Sequence, residues 1–194
     1  MKRSLIALTL LAALPFAASA AEGVSYNYVE GGYIATDTDD GDADGWAIRG
    51  SGAIAPNFHL FGEFDQQELD NTNFDVDHFR VGVGYNHEVA PKVDLLTRVA
   101  YEHYDAGNDF FGNDLESDGY SVEAGVRAGL ATNFEGYALA GWEDGEDYNG
   151  RDADGDFYGR VGGQVKFNQQ WGVAGELKFA DDDTQWFVGP RVSW

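Results

Sequence analysis

Ten short runs of alternating side chains, each ending in an aromatic residue on the same side, constrain the fold of this chain more than any other feature. The aromatics are Tyr33, Trp46, Phe64, Phe79, Tyr101, Tyr120, Trp142, Phe157, Phe179 and Trp186, and acidic, Gly-rich or Asn-rich stretches lie beyond them. Each shares the parity of its run's apolar face, as in Trp46, Ile48, Gly50, Gly52 and Ile54, while charges take the opposite parity. Successive side chains of a strand point to opposite faces. A period of two with aromatics at one height therefore describes an all-β, antiparallel transmembrane β-barrel whose outer wall meets hydrocarbon and whose aromatics sit among the headgroups. Phe58, Phe134, Phe167, Trp171 and Trp194 form a second girdle at the other edge. A soluble ten-stranded sandwich is the alternative, but it gives no reason for large aromatics at both ends of the apolar face.

The first residues point to export. Lys2 and Arg3, the apolar run from Leu5 to Phe16, and Ala18-Ser19-Ala20 before Ala21 have the form of a secretory signal cleaved after Ala20. The expected organisation is a signal peptide over 1–20 and one barrel domain over 21–194. The apolar run is shorter than the roughly 20 residues of a membrane-spanning helix, so strands must do any spanning.

Composition narrows the partners. Removing Lys2 and Arg3 leaves 10 basic against 34 acidic residues, a formal charge of −24, and nucleic acid is repelled. With no Cys there is no disulfide framework or thiolate site. The 26 Gly suit closely paired, twisted strands. A mean hydropathy of −0.38 looks too polar for a membrane protein, yet half of each barrel strand faces a polar lumen.

The pattern predicts strands near 24–36, 44–55, 58–68, 76–88, 93–105, 118–131, 134–145, 156–167, 171–180 and 185–194. Tight connections at Ala55-Pro56-Asn57, Val89-Ala90-Pro91-Lys92, Ala131-Thr132-Asn133 and Asn168-Gln169-Gln170 are expected to be periplasmic turns. The longer or acidic stretches 37–43, 69–75, 106–117, 146–155 and 181–184 are expected to be outer loops. Four turns and five loops joining ten strands place both termini in the periplasm.

Inward parity carries Arg49, Arg80, Arg98, Arg127, Arg160, Lys166, Lys178 and Arg191, together with Glu30, Glu63, Glu102, Glu123, Glu143 and Glu176. A barrel of this strand number has room mainly for its own side chains, and buried charges are tolerable chiefly in pairs. The expectation is a lumen filled by Arg–carboxylate pairs, with Tyr28, Tyr104, Tyr158 and Gln164 completing the hydrogen bonds and Arg98 serving Glu102 or Glu63. The alternative, a narrow pore for ions or small solutes, would show rings of one charge sign.

The chain ends on Phe187-Val188-Gly189-Pro190-Arg191-Val192-Ser193-Trp194. Gly189, Val192 and the terminal Trp194 resemble the signal by which outer-membrane barrels are recognised for assembly, which implies periplasmic chaperones and the barrel-assembly machinery as partners. Phe187 stands where that signal usually has a polar residue. Tyr26-Asn27-Tyr28-Val29-Glu30-Gly31-Gly32-Tyr33, Asn71-Thr72-Asn73-Phe74-Asp75-Val76-Asp77, Val81-Gly82-Val83-Gly84-Tyr85-Asn86-His87-Glu88 and Trp186-Phe187-Val188-Gly189-Pro190-Arg191 resemble a small outer-membrane protein family of xanthomonad-type bacteria. That family was once discussed as an activator of plant immunity and as regulated by a diffusible quorum signal. The resemblance spans nearly the whole mature chain. It implies residence in the outer membrane and in outer-membrane vesicles, and it carries over no catalytic residue.

Enzyme chemistry finds little support in the residues. His78 beside Asp77 and Asp75, and His103 near Asp105, lie close to the outer rim, where some barrels place protease dyads. However, His103 has outward parity and the strands read as too short to project far. There is no Gly-x-Ser-x-Gly elbow, and His59 and His87 are too scattered at the turn side for a metal site. Asp40-x-Asp42-x-Asp44-Gly45 fits the opening of a calcium loop, but Ser51 at the twelfth position excludes an EF-hand. Asp144, Glu146, Asp147, Asp152, Asp154 and Asp156 supply a second acidic stretch. No cofactor is expected beyond Ca²⁺ or Mg²⁺ held weakly at these loops, either at a specific site or bridging to lipopolysaccharide phosphates. The sequence thus leads to a non-enzymatic outer-membrane barrel in contact with lipid and lipopolysaccharide, with a structural or surface-interaction role.

Overall fold

In hydrocarbon every backbone N–H and C=O must pair within the sheet, and an open sheet leaves two edges unpaired. Closure removes both. The computed structural model describes residues 22–38, 41–70, 74–107, 115–145, 155–181 and 183–194. They form β1 (Tyr28–Thr38), β2 (Gly41–Ala55), β3 (Phe58–Leu69), β4 (Asp75–Ala90), β5 (Val93–Gly107), β6 (Leu115–Ala131), β7 (Phe134–Gly145), β8 (Asp156–Lys166), β9 (Trp171–Ala180) and β10 (Asp183–Ser193). Sequential strands pair antiparallel, and β1 closes on β10 from Tyr28↔Ser193 to Asp37↔Thr184. The expected all-β, ten-stranded antiparallel barrel is the observed fold.

Tight connections fall where proline, asparagine and polar residues predicted them. Three strand pairs carry a register shift just before the turn, at Ala53/Ala55, Glu88/Ala90 and Gly129/Ala131. Such bulges let a strand bend into a short connection. In the Pro91–Lys92 turn Lys92 adopts a φ of 68°, the left-handed backbone region that some tight turns use. At the β1–β10 seam, a β-carbon on Gly32 would stand 2.2 Å from the Val188 carbonyl oxygen, and one on Gly189 would stand 2.1 Å from that of Gly31. Any side chain at these two positions would push the closing strands apart.

Strand ends differ from the sequence expectation on both sides. On the loop side β2 begins at Gly41 and β6 at Leu115, three residues earlier than the pattern suggested, and β5 runs to Gly107. Asp42 is paired with Asp37 and Asp44 with Ala35 inside the β1–β2 ladder. Carboxylates mark the level where the wall leaves hydrocarbon, but the backbone ladder continues into water because outward carboxylates there are solvated. The strands are therefore not short: β2 extends five residues past Trp46, about 16 Å along the strand. On the turn side β1 begins at Tyr28, not residue 24. Residues 22–27 instead fold into the periplasmic mouth, where Tyr26 is fully buried.

The outer wall is apolar, with Val81, Val83, Val99, Val122 and Val161 all between 43% and 57% exposed. Inside, among the described residues, buried apolar side chains gather in two small clusters. Ile34, Ala47, Ala174 and Phe187 form one, and Tyr26, Leu96 and Leu139 with Val24 and Tyr137 form the other. Much of the remaining interior is charged, with Phe61, Tyr158, Ser121 and Gln164 buried among the ions.

Candidate functional site

The lumen gathers most of the chemistry-bearing side chains that parity singled out. Six arginines and seven carboxylates are buried among the described residues. Cross-strand register arranges part of them in a row of alternating sign on six neighbouring strands: Arg191, Glu30, Arg49, Glu63, Arg80 and Glu102 stand opposite one another in turn from β10 to β5. Opposite charges facing across a ladder attract where like charges would repel, so the row favours one register around the closing strands.

At mid-height, wholly buried Arg80 directs Nε to Glu102 at 3.1 Å and its terminal nitrogens to Glu123 at 3.2 Å and Glu63 at 3.7 Å. It also donates to the Ser121 hydroxyl at 2.9 Å and the Tyr158 hydroxyl at 3.3 Å. Arg160 meets Glu63 at 3.3 Å, Glu123 at 3.2 Å and Glu176 at 3.4 Å. Glu176 also receives Arg49 at 2.9 Å and the Tyr137 hydroxyl. The Arg160–Glu63 contact is decisive for the lumen. Their strands, β8 and β3, lie five steps apart in either direction around ten, so this ion pair spans the full diameter. Arg49 lies over the Phe187 ring at 4.2 Å, which accounts for an aromatic where the terminal signal usually has a polar residue.

Arg98 departs from expectation. Its carboxylate is Glu123, directly across the β5–β6 ladder, at 3.8 Å, and its guanidinium lies 4.9 Å from the Phe61 ring centre. Glu102 belongs to Arg80, and Glu63 to Arg80 and Arg160. Tyr104 and Tyr158 join the network by donating to Glu102 and Glu123, and Tyr28 lies beneath Arg191. The buried Gln164 amide, by contrast, has no hydrogen-bond partner among the described residues.

At the periplasmic end Arg191 holds Glu30 at 2.5 Å, and Glu135 receives Arg127 at 2.5 Å, Arg191 at 3.2 Å and Lys166 at 3.4 Å. Glu135 was missed in the sequence although it has inward parity beside Phe134. Asp94, Asp65 and Tyr26 were missed as well. Tyr26 closes this end: its hydroxyl donates to Asp94 at 3.0 Å, its ring stacks on His59 at 4.5 Å, and Arg127 lies 4.9 Å above it. The Lys166 ammonium donates to the Gly23 carbonyl at 2.9 Å, tying the same segment to β8. His59 is thus part of a packed wall.

At the outer end His78 lies between two carboxylates, with Nδ1 at 2.9 Å from Asp65 and Nε2 at 3.2 Å from Glu102, and stacks on Tyr104 at 4.3 Å. Gln67 donates to Asp65 and accepts from Thr36, and Lys178 meets Glu143 at 2.7 Å. Outside the lumen, His103 meets Asp118 at 2.7 Å on the outer rim, where the Tyr101 hydroxyl also donates. The length of the strands removes one argument against a rim hydrolase. What the rim does show is that both histidines are engaged with carboxylates.

The acidic residues are more dispersed than a calcium loop requires. Asp42 and Asp44 project from β2, and Asp144 accepts from the Tyr120 hydroxyl. Among the described residues no three His, Asp or Glu side chains converge on a metal-sized space. Asp40, the stretch 146–154 and the cleavage-site residues Ala18, Ala20 and Ala21 lie outside the described residues. At the C-terminus Gly189 sits in the seam, Val192 pairs with Val29 and Trp171, and the Trp194 amide donates to the Asn27 carbonyl at 3.1 Å.

Solved structures similar to this chain are barrels. They include a KdgM porin in complex with disordered oligogalacturonate (13% identity, 86% of this chain and 99% of that one, TM-score 0.47). The translocator domain of the autotransporter NalP from Neisseria meningitidis (11%, 89% and 89%, 0.48) and Neisserial surface protein A (16%, 89% and 100%, 0.46) are others. No curated protein matches the chain. Residues 6–138 match the family described as the outer membrane protein beta-barrel domain, and with its closed ten-stranded wall the chain belongs to that family and to the outer membrane.

Proposed function

We propose that this small outer-membrane barrel is an occluded, non-enzymatic structural and surface-interaction protein, not a conduit. The observation that carries the reading is the Arg160–Glu63 pair across the full diameter. Arg80, Arg49 and Arg98 brace the same level, and the segment ending in Tyr26 fills the periplasmic mouth. Each carboxylate of the central layer faces at least one guanidinium, so opening a path means separating buried ion pairs, at about 3–5 kcal/mol for each broken partner.

The outward surface is where partners would meet the protein. Asp37, Asp42, Asp44, Glu68, Asp75 and Asp156 are exposed beyond the girdle, a rim suited to cationic groups or to lipopolysaccharide phosphates bridged by Ca²⁺ or Mg²⁺. The chain would reach this position through periplasmic chaperones and the assembly machinery, with Gly189, Val192 and Trp194 as its signal. The xanthomonad-type resemblance adds outer-membrane vesicles as a second destination and a host-facing role for the rim. Swelling of liposomes containing the refolded protein tests the occluded reading. Sugars and amino acids should enter no faster than into protein-free liposomes, and rapid swelling would establish the narrow-pore alternative.

A further inference from the structure

A chain of hydrogen bonds crosses the outer mouth of the lumen from β10 to β5. The Gln185 amide on β10 donates to the Thr36 hydroxyl on β1 at 3.2 Å, and that hydroxyl donates to the Gln67 side-chain oxygen on β3 at 2.7 Å. Gln67 in turn donates to Asp65 Oδ1 at 2.8 Å. The chain then passes through His78 on β4, whose Nδ1 stands 2.9 Å from Asp65 Oδ2 and whose Nε2 stands 3.2 Å from Glu102 Oε2 on β5. Asp65, His78 and Glu102 each lie one residue beyond the girdle aromatic of their strand, Phe64, Phe79 and Tyr101, on the water side.

The polarity of this chain sets the state of the imidazole in it. Ionised carboxylates only accept hydrogen bonds, and a neutral imidazole has a single N–H. An imidazole bonded to carboxylates at both nitrogens must therefore carry both protons. Its surroundings suit that charge: Asp65 faces it from β3 and Glu102 from β5, and the Tyr104 ring stacks on it at 4.3 Å. Arg80, two residues along β4, is directed to Glu102, Glu63 and Glu123, and Lys178 on β9 to Glu143 on β7. Asp77, its neighbour in the chain, has outward parity. Beside the clasp lies a cavity of about 220 Å³ lined in part by Glu102, Tyr104, Ser117 and Glu143, with room for Glu102 and Tyr104 to swing outward.

We propose, on the reading that the lumen is occluded, that His78 is a proton-operated clasp on the outer mouth. Charged, it joins β3 to β5 across β4 and holds the mouth shut. Deprotonated, it keeps the shorter bond to Asp65, and its bare Nε2 repels Glu102, which retains Arg80 and Tyr104 as partners. The closed mouth binds the proton and the open mouth does not. Closure is therefore full below about pH 6.5, the ordinary histidine value, and weakens as pH rises, by up to about tenfold per pH unit for one proton released.

The chain contains no cysteine, so single thiols report on the mouth. Ser121 is fully buried, bonded to Arg80 at 2.9 Å, and pairs with Ala100, one inward position below Glu102, whereas Ser117 lines the cavity above. Ser121→Cys and Ser117→Cys are made in the mature protein, folded into lipid nanodiscs and treated with a charged methanethiosulfonate. The ratio of the two rates cancels the effect of pH on the thiols themselves. That ratio should rise roughly tenfold or more between about pH 6 and about pH 9. Adding His78→Gln, whose amide donates to one carboxylate only, should leave it high and flat, and His78→Lys, charged throughout, low and flat. Should His78→Gln not fold, nitrogen NMR of the histidine-labelled protein reads the clasp directly. The imidazole missing from the His78→Lys spectrum should hold both ring protons at about pH 7 and lose one as pH rises. A neutral His78 at that pH, a ratio that ignores pH, or an equal rise in His78→Gln would overturn the clasp. Ser121→Cys reacting as fast as Ser117→Cys at every pH would overturn it together with occlusion itself.

Discussion

Arg80 and Arg98 have the same inward parity and unequal surroundings. Arg80 faces Glu63, Glu102 and Glu123 with no exposure, whereas Arg98 reaches Glu123 alone at 3.8 Å. Removing a buried partner leaves an uncompensated charge, so Arg80→Ala should destabilise the barrel on the order of 4 kcal/mol. Arg98→Ala should cost about 1 kcal/mol, the scale of its contact with the Phe61 ring. Arg80→Lys should not rescue, because one ammonium does not replace a guanidinium fork. Urea unfolding of the protein in lipid vesicles measures all three, and equal losses for Arg80→Ala and Arg98→Ala would contradict the assignment. Parity alone placed these arginines inside. It left their partners open, because which carboxylate shares an arginine's height depends on the stagger of the closed barrel. Arg160 and Glu63 are 97 residues apart, and only closure brings them together.

At the scale of elements, charge density misplaced the strand ends and alternation misplaced the start of β1. Val24, Tyr26 and Tyr28 alternate as a strand would, and both a continued strand and a segment folded into the mouth put Tyr26 inside. The structure differs by stacking Tyr26 on His59 and bonding it to Asp94. Tyr26→Ala should therefore cost about 3–5 kcal/mol, and Tyr26→Phe, which removes only the hydroxyl, about 1 kcal/mol. Thermal or urea unfolding separates them, and a negligible loss for Tyr26→Ala would mean that the segment does not occupy the mouth. Just beyond β10, the terminal Trp194 is half exposed, and its backbone joins the segment at Asn27 while Val192 pairs across the seam. Deleting Trp194 should leave the chain in the periplasm or degraded with its synthesis unchanged. Outer-membrane levels equal to the intact chain's would show that the terminus is not read for assembly.

For the whole molecule, the period of two, the paired girdles and the alternation of tight and acidic connections were enough to read ten strands, their order and their closure into a barrel. The diametric ion pair was not, since it leaves no local mark in the sequence. A closed wall predicts that unheated protein migrates differently from boiled protein in detergent gels, with a circular dichroism spectrum dominated by β structure; identical migration and a helical spectrum would refute the fold. The central claim is that paired side chains block the lumen at Arg160–Glu63. Single-channel recording of the refolded mature protein in planar bilayers tests it most directly. The account predicts no stable conductance for the native protein and fluctuating currents once Arg160 and Glu63 are both replaced by Ala. Large, steady, ion-selective currents through the native barrel would show that these charges line an open pore.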